Sequence, residues 1–318
     1  MSNAMMAWNP EVASARDAGT PIVALESSVL AQGLPAPANR EAYRLMCAGV
    51  RSVGAVPAVT ATVGGKAVVG LDGEALERFL SVGAMKASAR DLGYAIASGR
   101  DGSTTVAGAL AIATMAGLDV FATGGIGGVH RAALGEPSFD ESADLLELSR
   151  SSVVVVCAGA KSILDLAATL ERLDSYGVAV IGYRTEEFPG FFTASTGLPV
   201  SATANSATEI ARAFLAGRQL GRPSAVLVVQ PPPYGAALDP RLVERAVRVA
   251  LAAAATGPNR PRGAAATPFL LAAVERATGG QSLATNLALL ESNARLAGEI
   301  AVALAAENTR RPLGLRPR

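Results

Sequence analysis

Val153 to Val156 form an unbroken run of four valines, followed by Cys157-Ala-Gly-Ala and then a single lysine, Lys161. A run this short, apolar at every position, predicts a strand buried on both faces, as found inside a parallel sheet. Ser162-Ile-Leu-Asp165 follows with capping-box spacing, which predicts a helix starting there. Lys161 then falls on a strand-to-helix turn at the carboxyl end of a central strand, where open α/β sheets place their ligands. Poor solvation at such a place is expected to lower its pKa and make a neutral, nucleophilic amine accessible. A lysine that snorkels to solvent or pairs with a carboxylate is the other reading of its position alone.

The rest of the chain repeats the alternation. Strands are expected at 22–25, 58–63, 66–69, 120–123, 153–157, 178–183 and 225–229, with Gly64-Gly65 predicting a hairpin between the second and third. Helical spacing covers 40–53, 103–116, 163–173, 207–220 and 242–255, and two more helices fit within 268–306. Strands separated by helices predict an α/β fold, a three-layer α/β/α arrangement with a mostly parallel central sheet and an antiparallel hairpin. No repeat or long linker interrupts it, so 11–306 is expected to be a single domain. Ser2-Asn3-Ala4 before a second methionine reads as a cloning remnant, and 1–10 is expected to be flexible. The segment 307–318, rich in Arg and Pro, is expected to be a disordered tail.

Composition removes several function classes. With 28 basic and 27 acidic residues, net charge +1 and 4% aromatics, nothing favours nucleic acid or an anionic membrane surface. No apolar stretch reaches the roughly 18 residues of a membrane span. The start lacks a basic n-region and an apolar h-region. Cys47 and Cys157 lie in apolar settings and cannot build a disulfide framework, which suits a reduced, cytoplasmic setting. The chain has one histidine, His130, and no CxxC pair, so a multi-histidine zinc site is excluded. Acid–base work therefore falls to carboxylates or lysines.

Four segments could carry chemistry. Glu26 follows the first apolar strand, as an acid–base group or as a buried ion-pair partner. Lys86 precedes Gly99-Arg-Asp-Gly-Ser-Thr-Thr105, which reads as a glycine turn whose hydroxyls open a helix. Free N–H groups there would attract an anion, or Ser103 or Thr104 would simply cap the helix. Thr123-Gly-Gly-Ile-Gly-Gly128 fits neither a P-loop nor a dinucleotide fingerprint, which leaves flexible backbone that a ligand could approach closely. Asp140 and Asp144, four apart, would share one face of a helix. With no soft ligands nearby they suit a hydrated Mg²⁺ or Mn²⁺, or else decorate a helix N-terminus.

Together these segments resemble the pseudouridine-5'-phosphate glycosidase, or indigoidine synthase A-like, family. The resemblance is carried by Ala24-Leu-Glu-Ser27, Gly54-Ala-Val-Pro57, Phe121-Ala-Thr-Gly-Gly-Ile-Gly-Gly-Val-His-Arg131, Ser142-Ala-Asp-Leu145 and Val156-Cys-Ala-Gly-Ala-Lys-Ser-Ile-Leu-Asp165. Thr267-Pro-Phe-Leu-Leu271 and Asn293-Ala-Arg-Leu296 extend it, so that it spans about 21–303. It implies an α/β/α fold, a homotrimer and one Mn²⁺ per subunit, with Mg²⁺ also admissible. It implies reversible cleavage of pseudouridine 5'-phosphate to uracil and ribose 5-phosphate. By resemblance Lys161 forms a Schiff base with the sugar C1', Glu26 is the proton donor and Asp140 binds the metal. Ser142, Ala143 and Asp144 form a substrate segment, and Lys86 and Val106 bind substrate. Thr105 and Thr123 contact phosphate, and His130 and Asn286 lie near the sugar or base. Such a lysine suits a carbon–carbon linkage, which offers no leaving oxygen for the usual pair of carboxylates to protonate.

The chain departs from the family pattern at Ser28 for threonine, Ala89 for a second arginine, Gln230 for asparagine, and a longer segment at Ala133-Leu-Gly-Glu-Pro137. Two other functions fit the same residues. One is a related enzyme of pigment biosynthesis or another sugar-phosphate aldimine enzyme; the other is a non-catalytic sugar-phosphate-binding protein.

Overall fold

The computed structural model describes residues 5–82, 84–131, 140–256 and 266–310. A short strand, β1 (Met6–Trp8), precedes α1 (Pro10–Ala18), which is capped by the Asn9 side chain accepting from Glu11 N. β2 (Ile22–Leu25) leads through a π-helical turn at Val29–Gly33 into α2 (Ala38–Arg51). β3 (Val56–Val63) and β4 (Lys66–Val69) form the expected hairpin, turned by Gly64 and Gly65, both at positive φ. Then come α3 (Gly73–Ser81), β5 (Met85–Ala87), α4 (Leu92–Ala97), β6 (Gly102–Thr104) and α5 (Val106–Ala116). The middle of the chain holds β7 (Val120–Ala122), β8 (Val129–His130), α6 (Ala143–Leu148), β9 (Val154–Cys157), β10 (Leu164–Asp165) and α7 (Leu166–Ser175). β11 (Ala179–Tyr183), β12 (Ala202–Ala204), α8 (Ala207–Gln219) and β13 (Val226–Val229) follow. The chain closes with α9 (Pro240–Thr256), α10 (Ala266–Ala277) and α11 (Gln281–Arg310).

Eleven strands make one mixed sheet along the path β1-β4-β3-β2-β7-β9-β13-β11-β12, with β6 joined to β3 and β5 to β6. The centre, from β3 through β2, β7, β9 and β13 to β11, is parallel, while β4 and β6 run antiparallel to β3. β8 and β10 form a separate antiparallel pair. The α/β class, the mostly parallel sheet and the hairpin are as expected. The valine run behaves as its composition requires: all four residues of β9 are fully buried. Burying such a side chain stabilises the fold by about 1.5–3 kcal/mol. α11 lies against α2 and α8 and reaches the strands β2, β7 and β9. It therefore passes close to the ends of the strands that carry the site.

Local structure departs from expectation in four places. Met6–Trp8, within the segment expected to be flexible, pairs in parallel with β4. Ser103 and Thr104 lie in strand β6 and not in a helix; the cap of α5 is Thr105, whose hydroxyl accepts from Gly108 N. Ser162 does not cap a helix either. Leu164 and Asp165 pair with His130 and Val129, so α7 begins one turn later with Asp165 accepting from Ala168 N. Part of the expected tail is helix, because α11 continues to Arg310; 311–318, like Ala133–Pro137, lie outside the described residues.

Candidate active site

β2, β7 and β9 are adjacent and parallel, so their carboxyl ends deliver Glu26, Thr123 and the Lys161 segment to one edge of the sheet. A cleft of about 240 Å³ opens there. Glu26, Lys86, Thr105, Val106, His130, Asp140, Ser142, Ala143, Asp144, Lys161 and Asn286 all line it. Of the expected site residues only Thr123 stands behind the wall.

Glu26 is 6% exposed, and both its oxygens are held by hydroxyls. Ser28 Oγ donates to Oε2 at 2.6 Å, and Thr123 Oγ1 donates to Oε1. Thr123 was expected to contact phosphate, but its hydroxyl faces the carboxylate instead. Lys161 sits past Gly159 (φ 83°), in a segment bonded to the glycine stretch: Ile126 N donates to Gly159 O and Lys161 N to Ile126 O. Its ammonium donates to Gly125 O. Lys86, in β5, has its pKa lowered first by burial and next by the Lys161 charge, while Asp144 and Glu26 pull it upward. Lys86 therefore feels the charges of the other three groups across the cleft. Lys66, Lys86 and Lys161 are the only lysines in the sequence, against arginine at every other basic position. Two of the three reach the cleft, where Arg90 also stands; unlike its guanidinium, a lysine amine can lose its proton. That bias was a readable signal.

The glycine stretch serves close packing of protein against protein. A Cβ on Gly125 would come within 2.6 Å of Phe191, on Gly127 within 2.2 Å of Ser142 Oγ, and on Gly128 within 2.3 Å of Thr169 Oγ1. None of the four glycines has positive φ. The stretch is closely packed on its protein side, and Gly124, Gly125 and Gly127 at the same time line the cleft, so its backbone also faces the space a ligand would occupy.

Asp144 also has a different part from the one its spacing suggested. It is 5% exposed; Oδ1 accepts from Ala107 N at 3.0 Å and Oδ2 from Gly127 N at 2.8 Å. One carboxylate thus clamps the start of α5 to the glycine stretch, favoured by the positive end of that helix. Ala107 N is taken by Asp144 and Gly108 N by Thr105, so two of the N–H groups expected to be free at this helix start are engaged by protein. Asp140 precedes α6 in irregular chain, so the two aspartates do not share a helical face. His130 N donates to Asp140 O, which holds these two residues together.

Among the described residues no three His, Cys, Asp or Glu side chains gather as a metal cage. Glu141 is bound by Arg172 and Asp144 by two peptide N–H groups. Asp140, at the exposed rim, offers a single carboxylate. One carboxylate, with water and substrate oxygens completing the shell, is a donor set that fits a hydrated hard cation and no all-protein site.

Three polar residues that the sequence reading named only within motifs or as a departure, with no role, support the site. Arg131 braces the turn after Lys161, donating to Ser162 O and Leu164 O at 3.2 Å and pairing with Glu244 at 3.0 Å. Asn293 and Gln230 lie behind Thr123, Gln230 Nε2 donating to Asn293 Oδ1 at 2.9 Å. Two asparagines, Asn286 and Asn293, on one face of a helix with Leu290 between them were the available clue.

The family described as indigoidine synthase A like protein matches residues 11–303. The chain belongs to this family. Relatives within it include the pseudouridine-5'-phosphate glycosidase of Gemmatimonas aurantiaca, 58% identical over 92% of this chain and 94% of that protein. The same enzyme of Herpetosiphon aurantiacus is 53% identical over 93% and 96%. Among solved structures, the prealnumycin C-glycosynthase AlnA in complex with ribulose 5-phosphate superposes with a TM-score of 0.88 at 41% identity, covering 98% of this chain and 100% of that one. An indigoidine synthase A-like protein from Thermotoga maritima gives 0.85 at 33% identity, covering 95% and 97%. No helix among the described residues is long and apolar enough to cross a membrane.

Proposed function

We propose that this family member is a pseudouridine-5'-phosphate glycosidase, which reversibly cleaves the C-glycosidic bond to give uracil and ribose 5-phosphate. Lys161 is the nucleophile and Glu26 the proton donor. The observation that carries the reading is the meeting of the Lys161 and Lys86 amines with a buried carboxylate, fixed by two hydroxyls, in one cleft. The names of close relatives supply the substrate.

The neutral Lys161 amine adds at C1' as the C1'–O4' bond breaks, and Glu26 gives its proton to O4'. The ammonium so formed returns one proton to the Glu26 carboxylate, and the freed nitrogen lone pair then expels uracil as the C1'–C5 bond breaks. That leaves an iminium at C1' and an electron pair on uracil C5, which takes up a proton. Water hydrolyses the iminium, releasing ribose 5-phosphate and restoring the amine. In the synthetic direction the same iminium is the electron sink attacked by C5. Ser28 and Thr123 suit both protonation states of Glu26, since a hydroxyl can donate to a carboxylate or accept from a carboxylic acid. Lys86 and the polar wall at Thr105, Val106 and Ser142 to Asp144 hold the sugar phosphate, with His130 and Asn286 beside the sugar or base. Mn²⁺ or Mg²⁺ at Asp140 would supply a positive centre for substrate oxygens. A homotrimer in the cytoplasm completes the proposal; both cysteines are buried and unpaired, which suits a reducing compartment.

Incubation with pseudouridine 5'-phosphate is expected to release uracil and ribose 5-phosphate in equal amounts, and Lys161→Ala to lose that release while remaining folded. A folded wild-type protein that releases no uracil overturns the proposal. The likeness to a C-glycosynthase favours one second reading, carbon–carbon bond formation with a different aromatic acceptor. That reading gains if ribose 5-phosphate couples to such an acceptor while uracil is neither released nor used.

A further inference from the structure

α11 presents Asn286, Leu290 and Asn293 at spacings of four and three, one face of a helix. Asn286 and Leu290 line the cleft; Asn293 does not, and is 1% exposed. Its Nδ2 donates to Thr123 O at 2.8 Å and to Gly124 O at 3.3 Å, while its Oδ1 accepts from Gln230 Nε2 at 2.9 Å. The surroundings fix this orientation, because a flipped amide would set oxygen against two carbonyl oxygens and nitrogen against an amide donor. Gly124 O also accepts from Ala158 N, so the loss of Asn293 would fall hardest on Thr123 O. The Thr123 hydroxyl is the group that donates to Glu26 Oε1. A continuous run of contacts therefore leads from Gln230, after β13, through Asn293 on α11 and Thr123 after β7 to Glu26 after β2.

We propose that Asn293 is a positioning residue for Glu26, acting through Thr123. By tying down the peptide that follows β7, it holds the Thr123 hydroxyl where it selects one placement of the Glu26 carboxylate. Gln230, a departure from the family's asparagine, props the far side of the Asn293 amide and lies one step further from the chemistry. Misplacing a catalytic group by about an ångström can cost ~10²-fold in rate, so a residue that never touches substrate can govern turnover.

The test is a kinetic double-mutant cycle on uracil release with Thr123→Val and Asn293→Leu, alone and together. Each single variant is expected to lower kcat by ~10–100-fold with KM within about threefold. The double variant is expected to fall no more than about threefold below the worse single one, because Asn293 has nothing to relay once the hydroxyl is gone. Losses that multiply, or that appear in KM alone, overturn the inference. Should Asn293→Leu fail to fold, Gln230→Met replaces it in the same cycle, removing the donor to Asn293 Oδ1 together with its longer bond to Ser292 Oγ, with the same two outcomes. The inference rests on the glycosidase reading, and the two fail differently. An inactive wild type refutes that reading, whereas an active wild type with multiplying losses refutes the relay alone.

Discussion

Burial, and after it the Lys161 charge, lowers the Lys86 pKa below the ordinary lysine value of 10.5. Between the lowered folded value and 10.5 the unfolded chain binds the extra proton, so stability rises as pH climbs through that window. Below it the cost of burying the ammonium is fully present. Lys86→Met is therefore expected to melt at a higher temperature than wild type near neutral pH, with the gap narrowing toward pH 10.5. A gap that stays constant or widens with pH contradicts this account. The same variant should bind substrate more weakly, because it deletes a positive charge from the cleft. Single residues were legible in the sequence where their type sufficed. Glu26 and Lys161 stood out as charges next to apolar runs and Lys86 as a lysine ahead of the glycine turn at 99–105, and the structure brings the three to one cleft. The contact of Thr123 was not legible, since its hydroxyl is claimed by a carboxylate 97 residues away.

At the scale of elements, backbone hydrogen bonds decide what spacing alone could not. Asp144 accepts one peptide N–H at each oxygen, which joins α5 to the glycine stretch. Asp144→Asn would turn an amide donor toward one of those N–H groups, leaving a buried donor unsatisfied at a cost of about 1–3 kcal/mol. A lower melting temperature without ligand is the expected result. An unchanged one would mean that Asp144 serves substrate alone. The predicted capping box at Ser162 failed for a related reason: pairing with β8 keeps Leu164 and Asp165 extended and delays the helix to Leu166. Such pairing depends on a partner more than 30 residues earlier, which a local pattern cannot report. Buried strands and long helices were read correctly because period and length are local properties.

For the whole molecule, the sheet order places β2, β7 and β9 side by side, and this adjacency makes one site from segments far apart in sequence. The alternation of strands and helices made the class legible; the order of strands was not, since similar apolar runs can pair in many ways. Assembly belongs to this scale too. Light scattering is expected to give a mass near three times the 32.1 kDa chain, and a mass of one chain would remove the trimer from the proposal.

The central claim is covalent, and the scarcity of lysine makes it simple to read. With ribose 5-phosphate and sodium borohydride, reduction of the imine should fix the sugar phosphate to the protein, and peptide mass analysis should find it on Lys161. Lys66, Lys86 and Lys161 are the only side-chain amines in competition. An adduct confined to Lys161, absent in Lys161→Ala, is the result this account predicts. A folded, active enzyme with no adduct, or one modified at Lys86 instead, would contradict it.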